Sequence, residues 1–378
     1  MIFDYLKNSK KRLAAITAMA VSVLFLSAWS VQPAISQAKS WEQIDRDLKA
    51  RVYHINVAIK IKLKDGSFAM LSDFSPKYRR PVFAAYDKDF GYRVVGFGTS
   101  FPVVISRGGD TYFITNHHVV ASHLEVMDNC KKFFAAMRLY AEQTASGGDV
   151  EERFSRLRTI VSLPSAKQEL NTAERVMYSQ TVDGIWDCYQ TYLSPQTEQG
   201  RALFNKYAKE SMPIFETGYF LHPPGPATQR PLQASLYKAC QNGRPDLAIL
   251  VVKKARVTPI ELDTISPSEG QEIQAIGYPT ASDALDEDSS KYFAPTFNTG
   301  RISRVTPKTL QVDASVTTGM SGGPLVNRRG KVVGVVSMRF KNKQGAELTS
   351  FSGAVKAQLI KEVAPELFDN LSTATNSK

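Results

Sequence analysis

Cysteine is scarce: Cys130, Cys188 and Cys240 are the three in 378 residues. So small and odd a set excludes a disulfide-framework fold and allows at most one intramolecular bridge. Histidine is nearly as rare, and His54, His117, His118, His123 and His222 all precede residue 223. His117, His118, His123 and Cys130 match no common metal-ligand spacing, and adjacent histidines point apart, so no metal ion is expected. The pair Gly96-x-Gly98 lacks both a following helix start and a βαβ context, so no dinucleotide cofactor is expected either; it fits a turn entering the strand before His118. The net charge is +11, but Lys and Arg are scattered without a stripe of interleaved aromatics. No nucleic-acid partner is expected; an anionic lipid surface or an acidic partner suits the charge better.

What the chain does contain is Gly319-Met320-Ser321-Gly322-Gly323-Pro324, set between the strand-like Leu310–Ala314 and the apolar Val332–Ser337. A serine between glycines on a tight turn presents its hydroxyl to a carbonyl carbon and aims backbone N–H groups at the oxyanion that forms. The serine then needs a base and an acid. Folds that use a G-x-S-x-G elbow run serine, acid, histidine along the chain, and no histidine follows Ser321. The order histidine, acid, serine remains. Tyr112–Val120 reads as an apolar strand ending in a turn that carries His117 and His118. Arg244–Val252 places Asp246 at the mouth of an apolar strand. A carboxylate there costs several kcal/mol unless it is hydrogen-bonded, and accepting from a histidine Nδ1–H would satisfy it.

These segments resemble the motif blocks of trypsin-like peptidases, in particular the HtrA (Deg) branch. Thr115-Asn116-His117-His118-Val119-Val120 is similar to T-[AN]-x-H-[CV]-V, and Asp246–Leu250 to D-[LI]-A-[VL]-L. Ala275–Pro279 is similar to A-I-G-x-P, Gly300–Ser303 to G-x-[IV]-S, and Gly98–Phe101 to G-[ST]-G-F. Asp313-Ala314 with Gly319–Leu325 is similar to D-A…G-N-S-G-G-P-L. The resemblance implies two six-stranded antiparallel β-barrels of chymotrypsin type and a polypeptide substrate cut by a Ser-His-Asp triad. His118 would be the base, Asp246 the orienting acid and Ser321 the nucleophile, with the N–H groups of Gly319, Met320 and Ser321 at the oxyanion. It also places Ser315 at the base of the primary specificity pocket and Ser337, Met338 and Arg339 in its wall. No carboxylate stands there, which predicts small or medium apolar side chains before the scissile bond. The alternative class is a catalytically silent, protease-like peptide-binding or partner-docking protein of the cell envelope.

The chain departs from the family pattern in three ways. The 57 residues after Ser321 predict no PDZ domain. Met320 stands where digestive relatives carry an aspartate, so activation by a freed N-terminus is not expected. His118 and Asp246 are separated by 128 positions, and residues from about 125 to 212 are rich in helix formers. The expected organisation is a first barrel over 39–257 including that helical insert, a second over 258–351, and a terminal helix with its tail over 352–378. That helix, from about Gly353, follows the spacing of Val355, Leu359, Ile360 and Val363. Cys130 and Cys188 both fall in the insert, and a disulfide between them would staple it.

At the N-terminus Lys7, Lys10, Lys11 and Arg12 precede an uncharged stretch from Leu13 to Trp29, then Ser36-Gln37-Ala38. This describes a secretory signal over 1–38 with cleavage after Ala38, or an uncleaved anchor in the inner membrane. Either places the remainder in the periplasm or outside the cell. Removing it strips four basic side chains and Asp4, leaving a net charge of about +8.

Overall fold

The computed structural model describes residues 38–62, 73–75, 80–82, 86–87, 92–166, 169–211, 214–226, 228–240, 245–279, 292–337 and 352–368. The signal or anchor segment lies outside these, apart from its last residue. Among the described residues no helix is long and apolar enough to cross a membrane.

A short amphipathic helix, α1 (Trp41–Leu48), buries Ile44 and Leu48 and leads into the first barrel. Its strands are β1 (Tyr53–Lys62), β2 (Tyr92–Ile105), β3 (Thr111–Thr115), β4 (Ile214–His222), β5 (Leu232–Ala239) and β6 (Ala248–Val252). They pair antiparallel in the order β1-β4-β5-β6-β3-β2, and β2 returns to β1, closing a six-stranded barrel. Because strand side chains alternate between faces, β6 serves two cores at once. Ala248, Leu250 and Val252 fill the barrel interior with Ile55, Val57, Phe113 and Leu221. Leu247 and Ile249 face the other way, into a cluster shared with the second barrel. This explains why the whole strand reads as an apolar run.

The second barrel consists of β7 (Glu272–Gly277), β8 (Thr296–Val305), β9 (Thr309–Val312), β10 (Pro324–Asn327), β11 (Val332–Val336) and β12 (Ser352–Lys356). They close in the order β7-β8-β9-β12-β11-β10. Its interior holds Ile273, Ile302, Leu310, Met320, Leu325 and Val333. Ile276, Val326, Val332, Val335 and Val355 turn instead toward Phe101, Ile114 and Ile249 of the first barrel. The chain is thus the expected double barrel, welded along one apolar seam.

Two expectations need correction. Ser352–Lys356 is not the start of a helix but the strand β12, paired with both β9 and β11. The terminal helix α7 is confined to Gln358–Val363, and the second barrel therefore runs past residue 351. Gly96 and Gly98 are not in a turn but inside β2. A Cβ on Gly96 would stand 1.9 Å from Ser122 Oγ, and one on Gly98 would meet both Ser321 O and Val119 Cγ2 at 2.9 Å. Glycine inside a strand here leaves room for the Ser122 and Val119 side chains and for the Ser321 carbonyl.

Between β3 and β4 the chain is helical. A single turn, α2 (His117–Val120), leads into α3 (Ser122–Thr144), α4 (Val150–Ala166), α5 (Thr172–Tyr192) and α6 (Glu198–Ser211). The start of α5 carries a capping box between Asn171 and Glu174, the pattern that satisfies orphan N–H groups at a helix N-terminus. These helices bury their own core, with Phe133, Met137, Leu157, Ile185 and Leu193 fully inside. Ile59 and Ile61 of β1 join that core, so the far end of β1 extends beyond the barrel interior to seat the insert.

The proposed disulfide does not form: Cys130, Cys188 and Cys240 are all thiols. Cys188 Sγ donates to Gln143 Oε1 at 3.1 Å, near the C-terminal end of α3. Cys130 lies thirteen residues earlier on the same helix, about 20 Å along its axis, too far for sulfur–sulfur bonding. Sharing a helical bundle did not put the two on the same layer of it.

Candidate active site

The antiparallel register of β3 and β6, with Thr115 opposite Ala248, brings the end of one strand beside the start of the other. Three residues past Thr115 is His118, on α2; two residues before Ala248 is Asp246. The His118 ring Nδ1 lies 2.7 Å from Asp246 Oδ2, and the His118 backbone N–H donates to Oδ1 at 3.0 Å. Asn116, fully buried, ties the same corner by donating from Nδ2 to the Asp246 carbonyl at 2.8 Å. A fourth partner arrives from the second barrel, where Ser337 Oγ donates to Asp246 Oδ2 at 2.7 Å.

The Asp246 side chain is 21% exposed. Burial pushes its pKa up, but the bond from the His118 ring, the charge there, the His118 N–H and the Ser337 hydroxyl outweigh burial. The carboxyl is held below its ordinary value and stays ionised. An ionised Asp246 facing Nδ1 selects the tautomer that leaves Nε2 as the basic nitrogen.

Ser321 sits on the turn between β9 and β10, and is 6% exposed. Gly319 has φ +96° and Gly322 φ +88°. At Gly322 an added Cβ would stand 2.2 Å from Thr99 O and 2.3 Å from Thr115 Oγ1, so glycine is required by both conformation and space. Met320 is fully buried and plugs its side chain into the second-barrel core, anchoring the turn from below. Gly322 N–H donates to Val336 O, and Val336 N–H to Gly323 O, both at 2.8 Å. Across the seam, Thr99 N–H donates to Ser321 O at 2.8 Å. Gly98 packs between that carbonyl and Val119, the residue next to His118.

The remaining expectations sort unevenly. Met320 N–H donates to Thr317 O at 3.1 Å and is committed to the turn, which corrects its inclusion among the oxyanion donors. Gly319 and Ser321 N–H make no backbone bond among the described residues. The Ser337 side chain, expected in the specificity wall, points instead to Asp246, with its own N–H bonded to Gly353 O at 2.9 Å. Ser315 is exposed, and its carbonyl accepts from Asn298 Nδ2 at 2.7 Å. Met338 and Arg339 lie outside the described residues.

Sequence reading missed the hydroxyl of Ser337 and the side chains of Asn116 and Thr99; the only signal was their presence inside the motif blocks. Of the other histidines, His117 opens α2 directly before His118. His54 and His222 face each other across β1 and β4, and His123 Nδ1 bonds Val120 O at 2.7 Å.

A family model described as a trypsin-like peptidase domain matches residues 223–335. That span contains Asp246 and Ser321 and begins beyond the helical insert, which separates His118 from the rest. The Bacillus subtilis (strain 168) protein "Serine protease Do-like HtrA" is 29% identical over 128 residues. The match covers 32% of this chain and 28% of the Bacillus protein. Among solved structures, a serine endoprotease from Yersinia pestis aligns with TM-score 0.40 and 16% identity, covering 88% of this chain and 67% of that one. Residues 223–335 are thus similar to trypsin-like peptidase domains, and about a third of the chain is similar to an HtrA-type protease.

Proposed function

We propose that the chain is a serine endopeptidase acting in the periplasm or outside the cell. The observation that carries this reading is the Asp246 carboxylate, held ionised against His118 Nδ1 at 2.7 Å beside a glycine turn that presents Ser321. His118 Nε2 takes the Ser321 Oγ proton as Oγ attacks a peptide carbonyl. Gly319 and Ser321 N–H groups receive the oxyanion, where one such donor contributes about 3 kcal/mol. The tetrahedral intermediate collapses as His118 gives its proton to the leaving amine, and an acyl-enzyme remains. Water, deprotonated by His118, then releases the acid and restores Ser321. No cofactor enters any of these steps.

Ser315 lies at the base of the primary specificity pocket in this reading, and the resemblance assigns Met338 and Arg339 to its wall. Without a carboxylate there, small or medium apolar side chains are preferred before the scissile bond. A peptide library cut mainly after Lys or Arg would discard that preference. The basic and then uncharged N-terminal segment supports export, tested by fractionating cells and sequencing the mature N-terminus.

Activity is tested by reacting wild type and Ser321→Ala with a fluorophosphonate and with a quenched peptide library. Labelling and hydrolysis in wild type alone support the peptidase. A folded wild type that does neither would leave only the silent, peptide-binding alternative.

A further inference from the structure

Thr99, in β2 of the first barrel, is fully buried, yet each of its polar atoms reaches toward the nucleophile turn or its supports. Its N–H donates to Ser321 O at 2.8 Å. Its hydroxyl donates to Gly319 O at 2.7 Å and accepts from Tyr278 N–H at 3.0 Å. Its carbonyl accepts from Thr115 Oγ1 at 2.9 Å. The two carbonyls it grips, those of Gly319 and Ser321, lie in the peptide planes on either side of the one that carries the Ser321 N–H, and the first of them adjoins the plane that carries the Gly319 N–H. The peptide between Gly319 and Met320 is thereby clamped at both ends, its C=O by Thr99 Oγ1 and its N–H by Thr317 O at 3.1 Å.

That clamp answers a specific hazard. Gly319 has no Cβ and φ +96°, so its neighbouring peptide planes can rotate at little steric cost. Rotation would turn a donor away from the reacting oxygen, and preorganisation of such donors is where this kind of site gains most of its rate. The Thr99 hydroxyl is itself fixed by the Tyr278 N–H, which leaves its proton directed at Gly319 O. Gly277, beside Tyr278, packs against Met320 Cα, the distance from its Cβ position being 2.9 Å.

From this geometry we infer that Thr99 is a positioning residue for the oxyanion donors Gly319 and Ser321, exerted across the seam between the barrels. The inference rests on the peptidase reading. Thr99 touches no substrate; it acts by holding two peptide planes.

The test compares wild type, Thr99→Ser, Thr99→Ala and Thr99→Val on a chromogenic peptide substrate. It also measures the affinity of each for a peptide boronic acid, which binds as a tetrahedral adduct, and for the corresponding product peptide. Thr99→Val should lower kcat about 100-fold while KM changes by no more than about threefold. Boronate affinity should fall in step with kcat, and product affinity should stay. Thr99→Ser, which keeps the hydroxyl, should stay within about fivefold of wild type on every measure. Where Thr99→Val fails to fold, Thr99→Ala should show the same kcat and boronate losses, attenuated by any water that fills the gap. Unchanged kcat in a folded Thr99→Ala or Thr99→Val, or equal losses in Thr99→Ser and Thr99→Val, would overturn the inference and leave the peptidase standing. A wild type inert to fluorophosphonate and peptides would remove both.

Discussion

The hydroxyl of Ser337 and the ring of His118 meet on one oxygen, each 2.7 Å from Asp246 Oδ2. Ser337 follows β11 in the second barrel; His118 follows β3 in the first. The carboxylate between them is oriented by both halves of the molecule. Ser337→Ala removes a bond to a charged group, worth about 1.5–3 kcal/mol, and lets Asp246 and then His118 drift. The expected outcome is a fall in kcat/KM of about tenfold or more, with the fold retained by circular dichroism. Activity equal to wild type would show that the Ser337 hydroxyl does not help to orient Asp246.

The buried centre of the insert predicts a stability effect. Phe133 is 1% exposed and packs within the cluster that also holds Ile59 and Ile61 of β1. Phe133→Ala should cost about 3–5 kcal/mol, seen as a lower midpoint in thermal or urea unfolding. Because β1 is common to both cores, the loss should appear in the main transition. An early, separate transition with the barrel midpoint unmoved would show that the insert unfolds independently.

His54 gives the protein a pH dependence of definite sign. Burial first, then the neighbouring His222, lowers its pKa from 6.5 to about 3. The unfolded chain binds a proton below about pH 6.5 that the folded chain refuses until about pH 3. Stability is therefore full above pH 6.5 and declines as the pH falls through that window. In His54→Gln the slope of unfolding midpoint against pH between 6.5 and 4 should be shallower. His123, also lowered by burial, contributes the same sign, so some slope should persist.

Thiol counting checks the cysteines. Burial, with Asp187 adding to it, pushes the Cys188 thiol up to about 11, so at neutral pH it is protonated and a poor nucleophile. Three thiols should titrate in denaturant without reductant, and Cys188 should resist alkylation in the folded protein. A mass two protons lower, abolished by reductant, would indicate a bridge.

The chain order of histidine, aspartate and glycine-flanked serine was legible because each rests on a local signal: an apolar strand with a reactive residue at its end. The double barrel followed from the motif blocks, and the helical insert from a change in periodicity between strands. What was hidden depended on contacts across the fold. Val355, Leu359, Ile360 and Val363 fit one helical face, yet Val355 belongs to β12, because the barrel needed a sixth strand between β9 and β11. Ser337 was assigned by backbone position, and only packing reveals that its hydroxyl turns to Asp246. Cys130 and Cys188 shared a compositional segment but not a helical layer. Thr99 entered only as one residue of the Gly98–Phe101 block, whereas its hydroxyl is tied to a residue 220 positions away.

The crowding at Gly322 comes from Thr99 and Thr115, atoms of a different barrel from the turn it belongs to. Each half of the molecule was therefore shaped against the other's surface. Residues 258–378 produced alone would keep the serine but lose the wall that gives its loop a shape, together with the histidine and the acid. Neither half on its own holds an inheritable unit of chemistry, and changes in either must be accommodated by the other.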